Sequence, residues 1–120
     1  MSADTLTTGR RGEKAAREYL KKNGYAIVAA NLRLAGVEID LIASKEQVLC
    51  FVEVKTRQTG NFGPPEEFVD FRKQRRLIRA AKIFCGHRQW QDYSVRFDVI
   101  SVLNDGRRPL ITHLENAFEE

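Results

Sequence analysis

The chain has 120 residues, of which 42% are hydrophobic and 30% are charged, and its formal net charge is +4. This length predicts one domain, large enough to bury about two thirds of its unfolded surface without disulfide or metal support. The cysteines, Cys50 and Cys85, and the histidines, His87 and His113, lack the paired spacing of a zinc site or a disulfide framework. No apolar run approaches the roughly 20 residues of a membrane span, and the N-terminus lacks the apolar segment of a signal peptide, so a cytoplasmic location is expected.

The first predicted element is a helix from about Arg10 to Lys22, with residues 7–9 as its capping region. Ala16 and Leu20 form its apolar stripe. At about 100° per residue Glu13 falls on the same stripe, which predicts that its carboxylate faces the core. The alternative is a solvated Glu13 in the first turn of the helix, where the helix dipole favours an acid.

Three strands follow, predicted at Tyr25–Ala30, Val37–Ala43 and Val48–Lys55. Their connections are short, so the strands form a meander that turns at residues 44–47. A loop rich in glycine and proline is then predicted over residues 56–65.

The second half of the chain predicts a helix over Asp70–Phe84 that ends before Gly86, and then a strand over Val95–Leu103. A turn at residues 104–106 and a last segment, Leu110–Phe118, complete the domain. The order α-β-β-β-α-β predicts an α/β fold in which helices pack on a sheet.

Two neighbouring strands carry charged residues at alternating positions, Glu38 with Asp40 and Glu53 with Lys55. Side chains on a strand alternate between faces, so each pair shares one face. A turn near residues 46–47 gives a register in which Asp40 lies opposite Glu53, and the same register places the other two charged residues opposite each other. Like charges gathered on a sheet are costly unless a cation or a substrate accompanies them. The hairpin therefore predicts a metal site, and the alternative is a solvated cross-strand ion network.

The predicted second helix is one-sided in charge. Between Phe71 and Gln91 there are seven Lys or Arg residues and no Asp or Glu. This distribution favours an anionic partner, although a solvated basic face is the alternative. Lys73 falls in the sector of the apolar stripe. The residues predicted to contact phosphates are Arg72, Lys73, Arg75, Arg76, Arg79 and Lys82. After the helix, Trp90 and Tyr93 are predicted at the edge of the core, with stacking on bases as the alternative.

Asp40, Glu53 and Lys55, spaced as Asp-x12-Glu-x-Lys, resemble the PD-(D/E)xK nuclease superfamily. The chain more closely resembles the uncharacterised bacterial YraN-like family (uncharacterised protein family 0102), which is similar to archaeal Holliday junction resolvases. The segments that carry this resemblance are Gly12-Glu13, Asn31-Leu32-Arg33, Glu38 to Ala43, Phe51 to Arg57, Lys73 with Arg76-Leu77, Arg96 to Val99, and Glu115 to Phe118. Val37 departs from the glycine usual in the family, and Ile39 replaces the proline for which the superfamily is named.

The resemblance implies a restriction-endonuclease-like three-layer α/β/α sandwich with a mixed central sheet, and a structure-selective DNA endonuclease acting on branched DNA. Carboxylates suit Mg²⁺ or Mn²⁺. Asp40 and Glu53 are expected to hold the ion with the Val54 carbonyl, and Glu13 to ligate it directly or through water. Lys55 is expected to orient or deprotonate the attacking water, or to neutralise the pentacoordinate intermediate.

Some alternatives stay open at this point. Glu38 is either an additional ligand or a shield for Lys55. The rival function is a nucleic-acid-binding protein of nuclease fold that does not cleave and works in a repair or processing complex. DNA and RNA are not distinguished by the sequence, and a homodimer is one option because symmetric cutting of a four-way junction needs two sites.

Overall fold

A computed structural model describes residues 3–58, 70–104 and 108–119. The predicted loop over residues 56–65 and the turn at residues 104–106 therefore lie largely outside the described residues. The elements are α1 (Ala3–Lys22), β1 (Ala26–Leu34), β2 (Val37–Lys45), β3 (Val48–Gln58), α2 (Phe71–Phe84), a 3₁₀ turn (Arg88–Trp90), β4 (Ser94–Asn104) and β5 (Leu110–Phe118). None of the described helices is long and apolar enough to cross a membrane.

The predicted order of elements is confirmed, and the last segment is a fifth strand. The predicted start of the first helix was wrong, because α1 begins at Ala3 rather than near Arg10. Threonine and glycine are poor helix formers, and they made residues 7–9 resemble a cap. Glu13 consequently lies in the middle of α1 and not in its first turn, so the helix dipole does not explain the presence of an acid there.

The five strands form one mixed sheet in the order β1-β2-β3-β4-β5. Only β3 and β4 are parallel, and the other neighbours are antiparallel. A parallel pair needs a crossover connection, which contains α2. Pairing of β2 with β3 runs from Lys45 with Val48 to Leu41 with Val52, in the register predicted from the sequence, but it ends one pair before Asp40 and Glu53, which were predicted to lie opposite each other.

Both hairpins turn through two residues with positive φ. The β1–β2 turn has Ala35 at 54° and Gly36 at 78°, and the β2–β3 turn has Glu46 at 51° and Gln47 at 62°. Two consecutive residues in this region give the primed turns whose twist matches that of the flanking strands. The turn at residues 46–47 therefore sets the register of the hairpin that carries the acidic residues.

The core consists of two clusters that use alternate residues of β3. Phe51 belongs to the cluster that includes Leu77 of α2. Val52 belongs to the cluster that includes Leu20 of α1. Because neighbouring residues of a strand face opposite sides, the two helices cover opposite faces of the sheet.

Strand β2 breaks the strict alternation of faces. Val37 and Ile39 lie in the cluster of α2, whereas Leu41 lies in that of α1. The change occurs across Asp40. Val37, which departs from the glycine usual in the family, is 7% exposed and packs in the core.

Helix α1 lies close to β3 at Gly12. A Cβ atom built there would lie 2.0 Å from the Thr56 hydroxyl oxygen. We expect Gly12→Ala to lower the free energy of unfolding by about 1–3 kcal/mol, because the helix must move away from the strand. Helix propensity alone predicts the opposite sign, a gain of up to about 1 kcal/mol. Urea unfolding distinguishes the two.

The control is the same substitution in a Thr56→Ala background, which removes the clashing hydroxyl. The cost of Gly12→Ala should fall there by at least about 1 kcal/mol. An equal cost in both backgrounds would mean that the close approach is not the cause.

Candidate metal centre

Asp40 lies where β2 and β3 part. The pairing of the two strands ends at Leu41 and Val52. Just beyond this point Asp40 Oδ2 accepts a hydrogen bond of 2.8 Å from the backbone N–H of Val54. The carboxylate is therefore held at the open end of the hairpin, between the two strands.

Glu53 is the most buried acid of the predicted set, at 4% exposed. Its Oε1 lies 2.6 Å from Nζ of Lys73 and 3.6 Å from Nζ of Lys55. Its Oε2 is buried and has no hydrogen-bond partner in the part of the chain that the structure describes. Two lysines therefore compensate one oxygen, and the other is left without a donor, which costs about 1–3 kcal/mol or more for a buried polar group.

Glu13 faces inward from α1, as its place on the apolar stripe predicts. Its side chain is 18% exposed, and Arg17 lies 3.6 Å from Oε1. That oxygen makes no hydrogen bond within residues 3–58, 70–104 and 108–119. Two of the three predicted carboxylate ligands thus each bury an oxygen that lacks a donor.

The Asp40 carboxylate interacts electrostatically with the other two. Burial, followed by the negative charge of Glu53, raises the pKa of Asp40 from 3.8 to about 7, and Glu13 adds to the rise. The Val54 N–H and Lys73 oppose it. Without another cation, Asp40 is therefore partly protonated at neutral pH.

The donor set fits a hard divalent cation in its chemistry, since three carboxylates and two buried oxygens without donors call for positive charge. The site is not preassembled. No group of three His, Cys, Asp or Glu side chains lies close enough to hold an ion among the described residues. The Lys73 ammonium already compensates the negative charge of Glu53, which a bound metal ion would otherwise compensate.

The profile of the uncharacterised protein family UPF0102 matches residues 12–102, a range that includes Glu13, Asp40, Glu53 and Lys55. The chain belongs to this family. A UPF0102 protein of Geobacter metallireducens is 41% identical over 119 residues, which cover 99% of this chain and 98% of that protein. One of Caldanaerobacter subterraneus subsp. tengcongensis is 44% identical over 115 residues, covering 93% and 94% respectively.

These matches confirm the YraN-like resemblance. Among solved structures, SfsA of Pyrococcus furiosus in complex with Ca²⁺ is similar at a TM-score of 0.36 and 12% identity, over 97% of this chain and 65% of that one. That likeness is too distant to define the fold of a UPF0102 protein.

Glu38 does not join the carboxylates of this UPF0102 chain. Its backbone pairs with Arg33 of β1, and its side chain, 50% exposed, lies 3.8 Å from the Arg33 guanidinium. The predicted position opposite Lys55 was wrong, because the pairing of β2 with β3 ends before it reaches Glu38. Glu38 belongs to a surface ion pair.

The cations of α2 fall into two groups by their surroundings. Lys73 is one-third exposed and contacts Glu53, as its sector predicted. Its backbone N–H donates to the side chain of Asp70, which caps the helix. The remaining predicted phosphate contacts are exposed, and they are Arg72, Arg75, Arg76, Arg79 and Lys82.

Trp90 and Tyr93 pack at the edge of the core, as predicted. The Trp90 ring stacks on Phe84 at 5.7 Å between centroids and meets Tyr93 edge-on at 5.1 Å. Both side chains pack against the cluster of α2.

Sequence reasoning missed a network around Asp98, on the face of the sheet covered by α1. Asp98 is 1% exposed and accepts hydrogen bonds from Arg96 and from the backbone of Asn116. His113 Nε2 lies 2.7 Å from Asp98, and its Nδ1 lies 3.1 Å from the hydroxyl of Tyr19. Burial would raise the pKa of Asp98, but these hydrogen bonds and the charge of Arg96 outweigh it and lower the pKa. The network ties β4 to β5 and α1, and residue spacing carries no signal for it.

Proposed function

We propose that this UPF0102 protein is a metal-dependent phosphodiesterase of nucleic acids, acting as a structure-selective endonuclease on branched DNA. The observation that carries the proposal is Glu53, a buried carboxylate with one oxygen against Lys73 and the other without a donor. A fold that keeps this arrangement next to Asp40 bears a cost that a bound cation would relieve. Two helices on opposite faces of a mixed sheet are compatible with a restriction-endonuclease-like α/β/α sandwich, which we propose as the fold family.

Asp40 and Glu53 would hold Mg²⁺ or Mn²⁺, joined by Glu13 and by the Val54 carbonyl. When bound, the ion supplies charge for the phosphate and an acidified water. Glu13 would join from α1, which covers the face of the sheet opposite α2. For these groups to bind one ion together, Lys73 would have to move away from Glu53. The Lys73 ammonium would then be available to the substrate.

Two observations support a role for Lys55 in the reaction. Its side chain is 33% exposed, and its Nζ lies 3.6 Å from Glu53. It would orient or deprotonate the attacking water, or stabilise the charge that develops on the phosphate. The exposed cations of α2 would hold the phosphate backbone without reading sequence.

A second candidate is a nucleic-acid-binding protein that does not cleave. The contacts of Lys73 and Lys55 with Glu53 favour it, because two ammonium groups already compensate this carboxylate without any metal. The endonuclease requires a bound metal ion, whereas the second candidate does not.

The test is calorimetric titration with Mn²⁺. Asp40→Asn and Glu53→Gln should each weaken binding by about tenfold or more, since each removes a charged ligand. Glu38→Gln is the matched control, because its exposed carboxylate pairs with Arg33 and should leave the affinity unchanged. Equal Mn²⁺ affinity in all four proteins would remove the metal site and favour the second candidate.

A further inference from the structure

Phe71, the first residue of α2, is a large apolar side chain that is exposed to solvent. Its side chain is 70% exposed, the highest value among the exposed large hydrophobic residues of the described chain. The Arg75 guanidinium lies 5.6 Å from the ring centroid, one turn further along the helix. Exposure of an aromatic ring to water is unfavourable, and folding does not require a ring at this position. Phe71 is therefore a candidate for contact with a partner.

Phe71 and Lys73 both lie in the first turn of α2. Two residues later, Lys73 reaches Glu53 at 2.6 Å. Side chains two residues apart on a helix point in nearly opposite directions, so the Phe71 ring lies on the side of α2 that faces away from Glu53. Between them the side chain of Arg72 is exposed, and α2 has no acidic residue in its first turn.

A cationic cleft lies further along the helix and begins at Arg75, the residue whose guanidinium lies over the Phe71 ring. It has a volume of about 550 Å³ and is lined by Arg75, Arg76, Ile78, Arg79 and Lys82. From residue 71 to residue 82 a helix rises about 16 Å, which matches the length of about five phosphates of one strand in a duplex. A flat aromatic ring at one end of a row of guanidinium groups is the combination by which proteins bind unpaired nucleic acid.

We propose that the Phe71 ring stacks on an unpaired nucleobase, while the cleft of α2 holds the phosphates that follow. The inference rests on the proposed function and narrows its substrate to nucleic acid with a frayed, flapped or branched position. An uninterrupted duplex offers no base face to the ring, because its bases are stacked on each other. Phe71 is a specificity-determining residue and takes no part in the chemical step.

The test is fluorescence anisotropy in EDTA with three labelled probes of shared sequence: an uninterrupted duplex, a duplex with a DNA flap, and one with an RNA flap. Phe71→Ala should weaken binding to a flapped probe by about 5–150-fold and to the duplex by less than about twofold. Phe71→Trp should retain binding, and the fluorescence of the new tryptophan should be quenched by the flap but not by the duplex. The two flapped probes show whether the base is offered by DNA or by RNA.

Ile83→Ala is the matched control, because Ile83 is 50% exposed on the same helix, about 18 Å away. It should change neither affinity by more than about twofold. The inference is overturned if Phe71→Ala weakens duplex and flap equally, if it weakens neither, or if gel filtration shows that it dissociates a dimer. Wild-type protein that binds none of the probes would overturn the proposed function as well, and that result is visible before any variant is made.

Discussion

Lys55→Ala is expected to slow cleavage of branched DNA by about 10²–10⁴-fold in Mg²⁺ or Mn²⁺, while DNA affinity changes by less than about tenfold. The ammonium lies 3.6 Å from the Glu53 carboxylate, beside the place where the phosphate would be attacked. Its contribution is greatest when charge builds on the phosphate, so its loss should affect the rate far more than binding. Single-turnover cleavage and anisotropy, measured on the same preparation, separate the two effects.

Glu53→Gln should also abolish turnover, but by loss of the metal, so Mn²⁺ titration distinguishes it from Lys55→Ala. Lys21→Ala, at the exposed far end of α1, controls for the loss of one positive charge and should cleave like wild type. Cleavage by purified Lys55→Ala and Glu53→Gln at the wild-type rate would identify the activity as a contaminant. Inactive wild-type protein that binds branched DNA tightly would favour the non-cleaving candidate.

Asp40→Asn is expected to stabilise the protein at alkaline pH. Burial and the charge of Glu53 raise the pKa of Asp40 from 3.8 to about 7. The folded state therefore binds this proton more tightly than the unfolded state does. The contribution of this proton to the free energy of unfolding is fully present below about pH 4. It is lost as the pH rises through about 7, and the loss amounts to up to about 4 kcal/mol. Asparagine removes this loss and keeps an oxygen for the Val54 N–H.

The measurement is urea unfolding at pH 5 and pH 8, followed by the fluorescence of Trp90, the single tryptophan of the chain. Asp40→Asn should exceed wild type in stability at pH 8, and the difference should shrink at pH 5. Mn²⁺ should stabilise wild type more at pH 8 than at pH 5 and should have little effect on Asp40→Asn. A variant less stable than wild type at pH 8 would show that the Asp40 carboxylate is not under electrostatic strain.

The sequence predicted the parts of the site that depend on local rules. Alternation along a strand placed Glu53 and Lys55 on one face, and the two-residue turn at residues 46–47 set the register of β2 and β3. Helical periodicity predicted that the side chains of Glu13 and Lys73 face the sheet rather than solvent. These features depend on backbone geometry over a few residues, which sequence periodicity reports directly.

Other features depend on contacts that local rules do not contain. The pairing of β2 with β3 stops at Leu41 and Val52, so Glu38 pairs with Arg33 and not with Lys55. Strand β3 continues beyond this point in parallel pairing with β4, and no pattern in residues 37–58 predicts where the two strands of the hairpin part. The Asp98 network likewise requires β4, β5 and α1 together, including the register shift between Phe97 and Val99.

The parallel pairing of β3 with β4 has a consequence for how the chain folds. Val48 pairs with Ser94 and Gln58 with Asn104, so the whole intervening segment must be brought around before any of these contacts forms. The two hairpins of β1, β2 and β3, by contrast, close through neighbouring residues and can form within microseconds. We expect a folding rate limited by the docking of α2 and β4 onto a preformed three-stranded meander, because the entropy of closing the long connection is lost before its contacts are gained. Until β4 docks, the edge of β3 that β4 later covers, which includes Phe51 and Val52, can pair with another chain. Refolding yield should therefore fall as protein concentration rises.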